Sequence, residues 1–138
     1  MGQEKYLSKY LLKVEYLCPC CGEYPPDFDL ENPGQNFRLT FDAFDSIRDF
    51  YGGPLNVKGF RCTKHNAKVT DSAISVHPFG LALDISGDVR RLVEIVEKHF
   101  SHLRMGIYPR HIHIDIGYLI YPRATVHWCK GIRWYGSY

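Results

Sequence analysis

His111-Ile112-His113-Ile114-Asp115-Ile116 alternates polar and apolar residues without a break. A period of two belongs to a β-strand, and it sends the three isoleucines to one face and His111, His113 and Asp115 to the other. The isoleucine face calls for a core against it, so this strand sits in a sheet covered on one side, with three polar groups sharing the other. Alternate residues of a strand stand roughly 6.5–7 Å apart. His111 and His113 are therefore not equivalent ligands of one ion, and one ligand plus one acid–base group fits their spacing.

Upstream of this strand, residues 103–107 read as a short strand and Tyr108-Pro109-Arg110 as the turn between the two. Ser86 or Asp88 starts a helix with Val89, Leu92, Val93, Val96 and Phe100 on one face, ending near Ser101. Residues 80–85 alternate as a strand, with Leu81, Leu83 and Ile85 on one side and Ala82 and Asp84 on the other. Residues 55–61 read as a further strand. Before them, Thr40 is placed to cap a helix in which Phe41, Phe44, Ile47 and Phe50 recur every three residues until Gly52-Gly53-Pro54 ends it. Residues 24–34 form a loop rich in Pro, Asp and Asn, and residues 5–15 carry a mixed pattern compatible with a helix. The aromatic, glycine-bearing end, residues 128–138, suits packing against the sheet or a cleft rim. The sum is an α+β fold: a small, mostly antiparallel sheet with helices on one face and a polar cleft on the other.

At 138 residues and 45% apolar, the chain has the means for a single domain spanning 1–138. A net charge of +2 with scattered basic residues argues against a nucleic-acid partner. No stretch reaches the roughly 18 apolar residues of a membrane span, and the start Met1-Gly2-Gln3-Glu4-Lys5-Tyr6 has no signal-peptide character. A monomer is expected.

A second polar cluster, Ser75-Val76-His77-Pro78-Phe79-Gly80-Leu81-Ala82-Leu83-Asp84, completes the site. A catalytic zinc takes three protein ligands and keeps a fourth position open for water. His77, Asp84 and His113 supply that count, with Gly80 permitting a tight approach and Ala82 leaving room beside the ion. The cysteines are not needed for it. Cys18, Cys20 and Cys21, read as C-x-C-C, depart from zinc-knuckle spacing, and no second pair follows. Reduced thiols near the core are the expected reading, with a second metal, or a disulfide from Cys62 or Cys129 to the cluster, left open.

These residues resemble the zinc D-Ala-D-Ala carboxypeptidase family, peptidoglycan peptidases that share a metal core with lysostaphin-type endopeptidases and the hedgehog signalling domain. The motif S-x-H-x-x-G-x-A-x-D of residues 75–84 carries the resemblance, with Gly59-Phe60-Arg61, His65-Asn66 and the H-x-H-x-D-x-G of residues 111–117. It covers residues 39–117. The resemblance implies one zinc per chain on His77, Asp84 and His113, with His111 as the acid–base residue. Arg61 would steady the polarised carbonyl or a substrate carboxylate, Ser75 would lie on the substrate side, and Asp115 would orient an imidazole. The implied reaction is hydrolysis of a stem-peptide or cross-link bond, of D,D-carboxypeptidase or endopeptidase type. Lys58 stands where a serine commonly precedes the Gly-aromatic-Arg triplet, and Thr70-Asp71-Ser72 replaces a glycine-rich turn; both departures border the substrate side. Action on the bacterial wall would suit an endolysin-like enzyme delivered by a phage, or a bacterial one exported after loss of a leader. The alternative is a zinc-bearing binding module without catalysis, a state that the hedgehog relation allows.

Overall fold

In the computed structural model, which describes residues 5–64, 66, 76–119 and 130–136, five strands form one sheet. They are β1 (Asn56–Lys58), β2 (Ala82–Ser86), β3 (Arg104–Ile107), β4 (His111–Asp115) and β5 (Arg133–Tyr135), in the order β1-β2-β4-β3-β5. Every pairing is antiparallel except that of β3 with β5. The described helices are α1 (Lys13–Tyr16), α2 (Gln35–Tyr51) and α3 (Val89–His99). The α+β expectation, with a mostly antiparallel sheet, holds. Ser75, His65, Thr70-Asp71-Ser72, Trp128 and Cys129 lie outside the described residues.

Register places the site. β2 and β4 pair Leu83 with Ile114 and Ile85 with Ile112, so the apolar residues of both strands share a face, and Asp84 stands opposite His113 on the other. Leu83, Ile85, Ile112 and Ile114 are buried together with Phe41, Phe44 and Ile47 of α2 and Leu92 and Val96 of α3. The helices thus cover the isoleucine face and leave the histidine face uncovered by them.

Several boundaries differ from the sequence reading, each for a physical reason. Helix α2 starts at Gln35 after Gly34, five residues before Thr40; the Thr40 hydroxyl instead donates to the carbonyl of Asn36 from inside the helix. Phe50, expected on the buried face, is half exposed and stacks on His99 with ring centroids 3.8 Å apart. Residues 55–61 yield only the three-residue β1, because the next amides turn to another partner: Gly59 and Phe60 donate to the carbonyls of Glu15 and Tyr16. Within residues 5–15 the α-helix starts only at Lys13. Before that, the Asp45 carboxylate accepts from the Ser8 hydroxyl and the Lys9 and Tyr10 amides, which holds the backbone in a turn. Helix α3 begins as read, with the Asp88 carboxylate accepting from the Arg91 amide. Among the described residues, no helix is long and apolar enough to cross a membrane.

Ile114, 1% exposed at the centre of this arrangement, offers a direct test of register. Ile114→Asp places a carboxylate in the core with no partner, a change costing on the order of 4–5 kcal/mol or more. Urea unfolding followed by circular dichroism should show loss of the cooperative transition or a collapse of its midpoint. A wild-type midpoint would overturn the assigned face.

Candidate metal centre

Three elements deliver the central side chains. Asp84 comes from β2 and His113 from β4, directly opposite each other. His77 opens a short 3-10 turn, His77–Phe79, that leads into β2 and closes on Gly80 with φ +75°. A side chain at Gly80 would be strained by that φ and would meet the Tyr16 hydroxyl at 2.3 Å. His77 Nε2 lies 3.2 Å from Asp84 Oδ1 and 3.2 Å from His113 Nδ1, and His113 Nδ1 lies 3.1 Å from Asp84 Oδ1.

The outer nitrogens fix the state of the inner ones. His77 Nδ1–H donates to the Gly59 carbonyl at 2.8 Å, and a carbonyl can only accept, so Nε2 of the neutral ring carries the lone pair. His113 Nε2–H donates to Asp115 Oδ2 at 2.6 Å, which leaves Nδ1 as the inward atom. Two imidazole lone pairs and a carboxylate oxygen therefore converge. Three such acceptors at this distance repel one another unless a positive charge sits among them. Ligands about 2.0–2.1 Å from a tetrahedral zinc stand roughly 3.3 Å from one another, close to the observed separations, so the donor set fits the ion in number, chemistry and spacing.

Stripped of metal, the site would take a proton there instead. Burial lowers the proton affinity of His113, but its hydrogen bonds to Asp115 and Asp84 outweigh burial and push it up to about 9. His77, buried and next to that cation, is shifted down, with burial as the main cause. Burial would raise the Asp84 carboxyl, yet His77 and His113 hold it well below the usual range.

Asp115, read from sequence as an orienting carboxylate, contacts His113 directly, and it is itself held. Arg104 Nη1–H donates to both its oxygens, at 2.8 and 2.7 Å, and the Gly117 amide donates to Oδ1 at 2.8 Å. Arg104 and Asp115 are both about 2% exposed. The sequence reading missed Arg104, although a lone arginine in the strand pattern Leu103-Arg104-Met105-Gly106-Ile107 was a signal that a buried carboxylate faces it. It also missed Trp134. That ring lies over Gly106, where a Cβ would meet it at 2.6 Å, and its centroid is 5.3 Å from His113.

His111, on the polar face of β4 opposite Ser86, stacks on Tyr108 with centroids 4.5 Å apart. Burial, the largest influence, shifts its proton affinity down. Arg61 lies with Nη1 3.9 Å from Asp84 Oδ2, and among the described residues its buried Nε has no hydrogen-bond partner. His77, Asp84, His111 and Arg61 line one cleft of about 920 Å³, with Glu15 and Lys58 on its walls. Ser75 is outside the described residues. The cysteine reading changes: the sulfurs of Cys18, Cys21 and Cys62 come together, while Cys20 is exposed and outside the group.

Comparison with known families gives a match of the Peptidase M15 model to residues 12–115, which include every residue of the cleft named above. Among curated proteins, none matches the chain.

The raised His113 sets a pH dependence for the metal-free protein. A histidine protonated more readily in the folded state than in the unfolded chain, near 6.5, adds stability that is complete below about pH 6.5. That contribution is lost as pH rises through about 9. Buried, neutral His77 works the other way only below its unfolded value. Chelator-treated wild type should therefore lose more urea stability between pH 7 and pH 9.5 than chelator-treated His113→Gln does, by a few kcal/mol at most. Equal losses in the two proteins would refute protonation of His113 in the chelator-treated chain.

Proposed function

Since the chain belongs to the Peptidase M15 family, we propose that it is a zinc metallopeptidase acting on peptidoglycan stem peptides or their cross-links, of D,D-carboxypeptidase or endopeptidase type. The observation that carries this reading is the convergence of His77 Nε2, Asp84 Oδ1 and His113 Nδ1 within 3.1–3.2 Å of one another at the cleft. These three would hold the ion, one per cleft. Bound there, zinc supplies a Lewis acid for a peptide carbonyl and a water acidic enough to attack near neutral pH.

The chain's own groups then divide the work. His111 sits on the same strand face as His113 and shares the cleft, and its lowered proton affinity keeps it neutral near pH 7. It can take a proton from the attacking water and return it to the leaving amine, a role worth about 10²- to 10⁴-fold. Arg61 carries a fixed positive charge and a planar fork beside the ligand set, suited to a developing oxyanion or a terminal carboxylate. Lys58, the departure from the family's serine, lies on the cleft wall and adds a second cation near the substrate. Asp115 keeps the His113 ring in the orientation that points Nδ1 inward. Ser75 belongs to this proposal as a substrate-side residue.

The test is digestion of purified peptidoglycan by zinc-loaded wild type, His77→Ala and His111→Ala, with released amines and fragments identified by mass. Wild type should cleave one class of stem bond, and His77→Ala should lose both the ion and cleavage. His111→Ala should keep wild-type metal content and lose at least about 100-fold in rate. Full activity in His111→Ala would remove it from the reaction. An intact wall under wild type with tightly bound zinc would replace the peptidase with a zinc-bearing binding module.

Arg61→Lys keeps the charge and loses the fork. A drop of about tenfold or more in kcat/KM is expected for bidentate recognition; wild-type kinetics would reduce Arg61 to an ion-pair partner of Asp84.

A further inference from the structure

We propose that Cys18, Cys21 and Cys62 hold a second, structural metal ion of the zinc class, separate from the His77–Asp84–His113 centre. Their sulfurs all lie within 4.8 Å of one another, and all three are thiols. Zn–S bonds of about 2.3 Å set tetrahedral sulfurs roughly 3.8 Å apart, so the set closes on an ion with a shift of about 1 Å. Cys18 and Cys21 are three positions apart, the C-x2-C spacing of structural zinc sites. Grouping Cys20 with them hides that pair in the sequence.

The backbone around the pair is already held in a turn. The Gly22 amide donates to the Cys18 carbonyl at 2.7 Å, closing a tight turn over the cysteines. The Cys18 sulfur accepts from the Cys62 amide at 3.3 Å, a contact that joins the two segments. An N–H donated to a ligating sulfur is the kind of outer contact that orients it towards an ion. Sulfur-rich sets select zinc and other soft ions over magnesium or calcium. Three thiolates make three of the four ligands of a tetrahedral ion.

The site joins two segments that the catalytic cleft depends on. Cys18 and Cys21 follow α1, whose Glu15 and Tyr16 carbonyls accept from the amides of Gly59 and Phe60. Cys62 follows Arg61, and the Arg61 amide donates to the His77 carbonyl at 3.4 Å. An ion on the three sulfurs would therefore clamp the segment carrying Gly59 and Arg61 against the N-terminal segment. Cross-linking distant parts of the chain in this way stabilises a fold directly.

Metal counting on the full chain tests the proposal without reading activity. Wild type should carry two zinc ions, the Cys18→Ser/Cys62→Ser variant one, and the His77→Ala/Asp84→Ala variant one. Cys21→Ser, at an exposed position where folding is tolerant, should also lose the second ion, while Cys20→Ser should keep it. Cobalt-loaded wild type should show thiolate-to-cobalt charge-transfer absorption, absent in Cys21→Ser and kept in Cys20→Ser. Wild-type metal content in the double cysteine variant would overturn the proposal, as would mass-spectrometric detection of a disulfide among the three, or equal loss in Cys20→Ser. Should the histidine centre fail to hold metal, wild type would carry one ion that only the cysteine variants remove, so the two failures are distinguishable.

Discussion

The antiparallel register of β2 against β4 is the constraint on which the site rests. It sets Asp84 opposite His113 and, on the same face, Ala82 opposite Asp115 and Ser86 opposite His111. Small residues on either side of Asp84 leave the imidazoles of β4 room over the sheet. A slip of one residue would turn Leu83 towards the cleft and Asp84 into the core. The apolar face enforces the register, because Leu83, Ile85, Ile112 and Ile114 bury against α2 and α3 only in this pairing. Core packing and donor placement are thus two results of one alternation, read on opposite faces.

His77 stands outside the sheet and needs other restraints. Its ring is anchored by the Gly59 carbonyl, and the turn that follows it is anchored by the Tyr16 hydroxyl, which donates to the Gly80 carbonyl at 2.6 Å. Tyr16 is wholly buried and packs edge-on to Phe41 of α2, with centroids 5.0 Å apart. The N-terminal segment is therefore part of the scaffold of the site, consistent with a family match that begins at residue 12. The clamp proposed for Cys18, Cys21 and Cys62 would act on this same contact.

The sheet and the face of each polar residue, Asp84 and His113 among them, were legible in the sequence because a period of two is a local signal that burial enforces, whereas His77, outside the sheet, was joined to them by the donor count of a zinc site and by the motif it shares with Asp84. The glycine stop of α2 and the aspartate cap of α3 were legible for the same reason: each acts within a turn of its own helix. What escaped was long-range. Thr40 looked like a cap because threonine caps well, but Gly34 and the buried stripe behind it start the helix earlier. The third thiol, Cys62, is far from Cys18 in sequence, and only the pairing of residues 15–16 with 59–60 brings them together. Arg104 and Trp134 join the site through β3 and β5, whose pairing is parallel and depends on a segment with no alternating pattern of its own.

Charge explains why the carboxylates have different parts to play. Asp115 is neutralised by Arg104 inside the protein, a buried pair whose separation would leave an uncompensated charge. Its remaining capacity goes to the Gly117 amide and to one strong hydrogen bond with His113, so it orients the ring without adding net charge to the cleft. Asp84 has Arg61 only at 3.9 Å and, among the described residues, is the anion that stands with the inward nitrogens. A dication held by one carboxylate and two neutral imidazoles keeps a net positive charge, and Arg61 adds another beside it. In the proposed reaction that excess lies where an oxyanion would develop, in a cleft whose partial burial strengthens it relative to water. A second carboxylate free to face the ion would cancel it, which gives the Arg104–Asp115 pair a role in the chemistry as well as in the fold.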